Sequence, residues 1–234
     1  MLPSADEDLK RAPTEQGAPV PGRPAAFLLL GLPVFLFWLI TWQVATDGPL
    51  VRVDRRVSHA LVHPDRFCHF LSDLGSVEVA VPVLAVVLGY VAVQGRQADA
   101  ARWWLPPVAA AVLMALVPAL IVPLKETIAR YGPPTMPPAA GYYPSGHTAT
   151  ATIAYGAATL VLLPWLPSDH ARRELVVTCV AVNVGVGFGL VRSGYHWPLD
   201  VVASWCLCTV LLTGLALVIR LSTDPGQGPS GTPD

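Results

Sequence analysis

Charge is what this 234-residue chain has least of, with Asp, Glu, Lys and Arg together making up only 13% of it. A soluble domain carries about 25%. So few charges cannot cover a water-facing surface, and with 53% hydrophobic residues the chain needs lipid around much of itself. Neither sign is in excess: 15 Lys and Arg against 16 Asp and Glu leave a net charge of −1. That balance supplies no basic patch or stripe and excludes a nucleic-acid partner. Cysteine is scarce as well, limited to Cys68, Cys179, Cys206 and Cys208. Three of them fall inside apolar runs, and no CxxC or Cys/His ligand spacing occurs. They read as small buried hydrophobes in preference to a disulfide framework or a zinc site. No cleavable leader is expected either, because the first 24 residues are polar and proline-rich and the first apolar run follows them without a small-residue cleavage site. No internal repeat stands out.

Long apolar runs are what the chain does have. A bilayer core needs about 20 mostly apolar residues in a helix. Six stretches meet or approach this: 25–45, 77–93, 105–124, 145–163, 175–191 and 199–221. The sequence therefore predicts an all-α fold, a six-transmembrane-helix bundle over residues 25–221, between polar tails at 1–24 and 222–234 expected to be disordered. An even number of spans puts both termini on one side. The long mixed connection from Asp47 to Ser76 has room for a short helix lying against the membrane. With both tails and the second and fourth loops in the cytoplasm, eight Lys and Arg lie inside and seven outside. Three of those seven are the candidate functional residues Lys125, Arg130 and Arg192, so setting them aside widens the margin. The expectation is a multi-pass protein of the cell membrane with cytoplasmic termini and a site facing the extracytoplasmic side.

The loops after the third and fifth stretches open on that same face, and polar residues collect there. Lys125, Arg130, Ser145, His147, Arg192, His196 and Asp200 all fall near helix ends. Ionisable groups at a membrane boundary are costly unless they snorkel, pair or act. Ser145 and Gly146 open the fourth stretch, where free backbone N–H groups and the helix dipole make an anion site, although a plain N-cap explains Ser145 alone. His147 follows two residues after Ser145, and an imidazole entering an apolar helix needs a partner. His196 and Asp200 are four apart and share a face if a helix starts between them. Asp200 then accepts from one ring nitrogen and leaves the other free, making His196 a competent nucleophile. The bland reading of that pair is a stabilised helix start, at roughly even odds in isolation. Lys125 and Arg130 suit phosphate binding, but either alone reads better as a snorkelling side chain.

Together these residues resemble the type 2 phosphatidic acid phosphatase family, whose site is shared with the vanadium haloperoxidases. Its pattern is Lys, six residues, Arg-Pro; then Pro-Ser-Gly-His; then Ser-Arg, five residues, His, three residues, Asp. Pro144-Ser145-Gly146-His147 and His196-Trp197-Pro198-Leu199-Asp200 match it in order and spacing. Two positions depart. Gly132 stands where the family has its first arginine, with Arg130 two residues earlier. Gly189-Leu190 replaces the Ser-Arg pair, with Arg192 two residues after Leu190.

The resemblance implies a membrane-embedded lipid phosphatase that needs no cofactor or metal and works through a phosphohistidine. It implies His196 as nucleophile, Asp200 as the group holding its ring, and His147 as the acid and then base. It also implies Lys125, Arg130, Ser145, Gly146 and Arg192 as binders of the substrate phosphate. Loss of one such donor costs about 2.7–4 kcal/mol of barrier, so the displaced arginines matter. The expected partners are the bilayer and a lipid phosphate: phosphatidate, phosphatidylglycerol phosphate, or a polyprenyl phosphate or diphosphate. Two alternatives stay open, a weak or inactive relative that binds phospholipid and a lipid phosphotransferase.

Overall fold

The computed structural model describes residues 23–223, and the two predicted tails lie almost wholly outside them. The described chain is helical, running α1 (Arg23–Ala45), α2 (Pro49–Leu61), α3 (Arg66–Asp73), α4 (Val77–Gln97), α5 (Leu105–Ile128), α6 (Gly146–Leu162), α7 (Asp169–Arg192) and α8 (Pro198–Thr223). No strand occurs among the described residues, where extended pairing is limited to an isolated bridge between Tyr131 and Ala140. The helices α4, α5, α7 and α8 are each long and apolar enough to cross a membrane, as is α6 together with the short 3-10 turn that continues it to Trp165. Helices α1 and α2 meet at 89° and make up a sixth candidate only as a bent pair. Prolines inside α1, α4 and α5 (Pro33, Pro82, Pro118 and Pro123) are tolerated because packed neighbours satisfy the freed backbone groups.

Helix α6 is the hub. Two thirds of its apolar window is buried (67%), against 17–33% for the other four spans, and it packs on α4, α5, α7 and α8. Its sequence explains this: Ala149, Ala151, Ala154, Ala157 and Ala158 are small and let neighbouring helices approach closely. Val86, Val93, Val112, Val180 and Val184 on the outer helices stay exposed, as side chains facing lipid do.

The predicted surface helix between the first two spans is in fact a pair, α2 and α3. On α2, Val51, Asp54 and Ser58 are buried at helical spacing, while Leu50, Val53 and Val57 form an exposed apolar stripe. The helix thus turns its one carboxylate into the protein and an apolar face outward. Helix α3 is capped by Asp65, whose carboxylate accepts from the Cys68 N–H at 2.8 Å, and it leans on the end of α7. That bond holds the Asp65 carboxyl below the usual carboxylate range. Of the four cysteines, Cys68, Cys206 and Cys208 are buried, and none is in a disulfide.

Candidate active site

The polar residues picked out above gather at one end of the bundle because the starts of α6 and α8 are tied together. The Ser145 N–H donates to the Asp200 carbonyl at 3.2 Å. The Ser204 hydroxyl donates to the carbonyls of Ser145 and Asp200, each at 2.9 Å. This stitch sets His147, in the first turn of α6, beside His196, just before α8. Ser145 is fully buried and is the N-cap of α6, its Oγ accepting from the Thr148 N–H and hydroxyl at 3.3 and 3.0 Å. That leaves the Ser145 O–H free to donate. His147 is exposed, within electrostatic reach of His196 and Lys125.

His196 is buried, and its Nδ1 meets Asp200 Oδ2 at 3.3 Å. Oδ2 also accepts the Trp197 N–H at 3.2 Å. An ionised Asp200 thus keeps the proton on Nδ1 and leaves Nε2 with a free lone pair. The edge of Tyr142 packs against the imidazole with ring centroids 5.9 Å apart.

Lys125, near the end of α5, donates from Nζ to the Gly141 carbonyl at 2.9 Å, with its Cε close to Gly146. After α5 the chain turns through Ala129 in the left-handed region (φ 47°), and this directs Arg130 inward. Arg130 is placed otherwise than a free phosphate ligand would be. Its Nη1 donates to Asp200 Oδ1 at 2.5 Å and its Nη2 to Asp54 Oδ2 at 2.6 Å. Its guanidinium also lies 5.4 Å from the Trp197 ring centre. Arg192 sits elsewhere, with Nε 3.5 Å from Asp65 and its guanidinium over Phe188.

Both positions where the resemblance would place an arginine are taken by packing. A β-carbon on Gly132 would come within 2.7 Å of the Tyr142 ring. One on Gly189 would come within 2.7 Å of the Cys68 carbonyl, and Leu190 is buried among Ala151 and Val186. Tyr143 and Trp197 are buried. The Tyr143 hydroxyl bonds Thr41 of α1 at 2.6 Å, and burial pushes the phenol above its ordinary range.

Asp54 is the residue that sequence reasoning missed. Besides Arg130, it accepts the Leu199 N–H at 2.8 Å and so caps α8 from another helix. The available signal was its phase: it falls on the Val51 and Ser58 face of an otherwise basic amphipathic stretch.

A family model described as the PAP2 superfamily matches residues 106–224, just over half of the chain. A crystal structure of a transmembrane PAP2-type phosphatidylglycerolphosphate phosphatase from Bacillus subtilis is similar in fold. The TM-score is 0.64 at 22% identity, over 84% of this chain and 98% of that one. No curated protein matches the chain.

Proposed function

Because this chain belongs to the PAP2 superfamily, we propose that it is an integral membrane lipid phosphatase acting through a phosphohistidine on His196. The observation that carries this reading is the buried His196–Asp200 pair beneath an exposed His147 at the start of α6. His196 Nε2 attacks phosphorus and the bond to the leaving alkoxide breaks, with His147 supplying the proton. Water then attacks the phosphohistidine, His147 takes the water proton, and inorganic phosphate leaves. Lys125, the Gly146 N–H and the Ser145 hydroxyl are the donors for the equatorial oxygens. Positioning and electrostatics carry such a transfer, so the proposal includes no metal.

The arginines differ in how readily they could join those donors. Arg192 is about a third exposed (30%) and its contact to Asp65 is long at 3.5 Å, so leaving it costs little. Arg130 is held by two fully buried carboxylates, and breaking such a pair costs about 3–5 kcal/mol. Arg192 is therefore the less firmly held of the two arginines.

A lipid substrate fits the surroundings. An apolar cavity of about 360 Å³ between α4 and α5 runs from Val77 past Leu84 and Met114 to Thr150, one turn along α6 from His147. An acyl or prenyl chain there would leave its phosphate at the histidines. The substrate classes are phosphatidate, phosphatidylglycerol phosphate and polyprenyl phosphates or diphosphates. We place the protein in the cell membrane with the site on the extracytoplasmic face.

The test is phosphate release from that panel by detergent-purified protein in EDTA, comparing wild type with His196→Ala. Release that survives EDTA and is abolished by the substitution supports the reading. The occupied positions at Gly132 and Leu190 favour the alternative of a relative that binds phospholipid with little or no turnover. No release from any panel lipid would decide for it.

A further inference from the structure

We propose that Asp54 and Arg130 are positioning residues, which hold Asp200, and through it His196, in the geometry that transfer requires. The inference rests on the phosphatase reading above. Asp54, Arg130, Asp200 and His196 form one continuous buried line. Arg130 bridges the two carboxylates at 2.6 and 2.5 Å, and Asp200 spans from Arg130 by Oδ1 to His196 by Oδ2. Both aspartate side chains are fully buried and that of Arg130 is 9% exposed. Every polar atom of the two carboxylates is accounted for, since Asp54 Oδ1 takes the Leu199 N–H and Asp200 Oδ2 takes the Trp197 N–H.

Each link has a separate consequence. Arg130 donates to Asp200 Oδ1 and so fixes the carboxylate with Oδ2 turned to accept from His196 Nδ1. The Asp200 carboxylate, with Oδ2 on His196 Nδ1, complements the positive charge that develops on the imidazole as Nε2 bonds to phosphorus. Asp54 fixes the guanidinium from the far side and also holds the start of α8, which carries Asp200. The line runs from α2, outside the stretch matched by the family model, into that stretch.

The experiment uses full-length protein in detergent, with wild type, Asp54→Asn, Arg130→Gln, the double variant and His196→Ala. It measures kcat, KM and inhibition by inorganic phosphate. Asp54→Asn keeps the Oδ1 acceptor for Leu199 while removing the charge, and a thermal melt in detergent checks that each variant is folded before its kcat is read. The expected result is a fall in kcat of about 10- to 100-fold in each single variant, as for groups that orient an active residue. KM and the phosphate inhibition constant stay within about threefold of wild type. The double variant is no worse than the poorer single, since the two act as a unit. A readout independent of turnover is 15N NMR of labelled histidine, in which His196 carries its proton on Nδ1 in wild type and loses that preference in both variants.

Two results overturn the proposal alone. In one, Arg130→Gln weakens phosphate inhibition tenfold or more while Asp54→Asn behaves as wild type, which makes Arg130 a phosphate ligand. In the other, both variants keep wild-type kcat and the wild-type His196 tautomer, which leaves the line a purely structural tie. A His196→Ala protein with wild-type turnover is a different failure, because it removes the phosphatase reading itself.

Discussion

A β-carbon on Gly132 would press to 2.7 Å on the Tyr142 ring, and that ring borders His196. Placing an arginine there to mimic the family pattern would force Tyr142 off the imidazole. Gly132→Arg is expected to lower kcat and to destabilise the fold by about 1–3 kcal/mol, the usual cost of overpacking. Kinetics and a thermal melt in detergent check both, and a gain in kcat would show that Tyr142 yields freely. The sequence reading treated Arg130 and Arg192 as equivalent displaced clamps, since each stands two residues from its expected position. The structure separates them by environment. One is locked between buried carboxylates and the other rests on a partly exposed aspartate. Spacing along a chain cannot carry that difference, because it depends on Asp54, which lies far away in sequence.

At the level of elements, the six apolar runs were legible because a bilayer-spanning helix needs a length of apolar sequence that few other structures require. The observed helices α4, α5, α7 and α8 extend the predicted runs by a few residues, mostly into the polar residues of their flanks, while α6 falls one residue short of its run at each end. The pair α2 and α3 was only partly legible, since the burial of Asp54 inverts the usual rule that charges face water. Helix α3 lies so close on α7 that Gly189 has no room for a side chain, with the Cys68 carbonyl, Leu71 Cβ and the Ser72 N–H within 2.7–2.9 Å of a β-carbon. Gly189→Ser, which restores the family residue, is therefore expected to cost about 1–3 kcal/mol. Its effect would be seen as a lowered melting temperature in detergent, and an unchanged melt would mean that α3 can move away.

On the scale of the whole molecule, the site occupies one end of the bundle, while Arg96, Arg102, Arg172 and Arg220 lie on or after the opposite ends of α4, α7 and α8. If the positive-inside rule holds for this chain, cysteine at exposed Arg56 on α2 reacts with an impermeant thiol reagent on intact cells. Cysteine at Arg96 then reacts only after permeabilisation, and the reverse pattern would invert the proposed orientation. The sequence by itself determined that the chain is helical and apolar enough to span a bilayer, and it singled out the candidate site residues, because length, hydropathy and the His196–Asp200 spacing are local properties. Only the tertiary structure decided what surrounds each basic residue. The packing of Tyr142 against Gly132, of α3 against Gly189, and of Asp54 against Arg130 joins segments distant in the chain. Whether a guanidinium is free or fixed depends on the buried charges around it, and those are set by the fold.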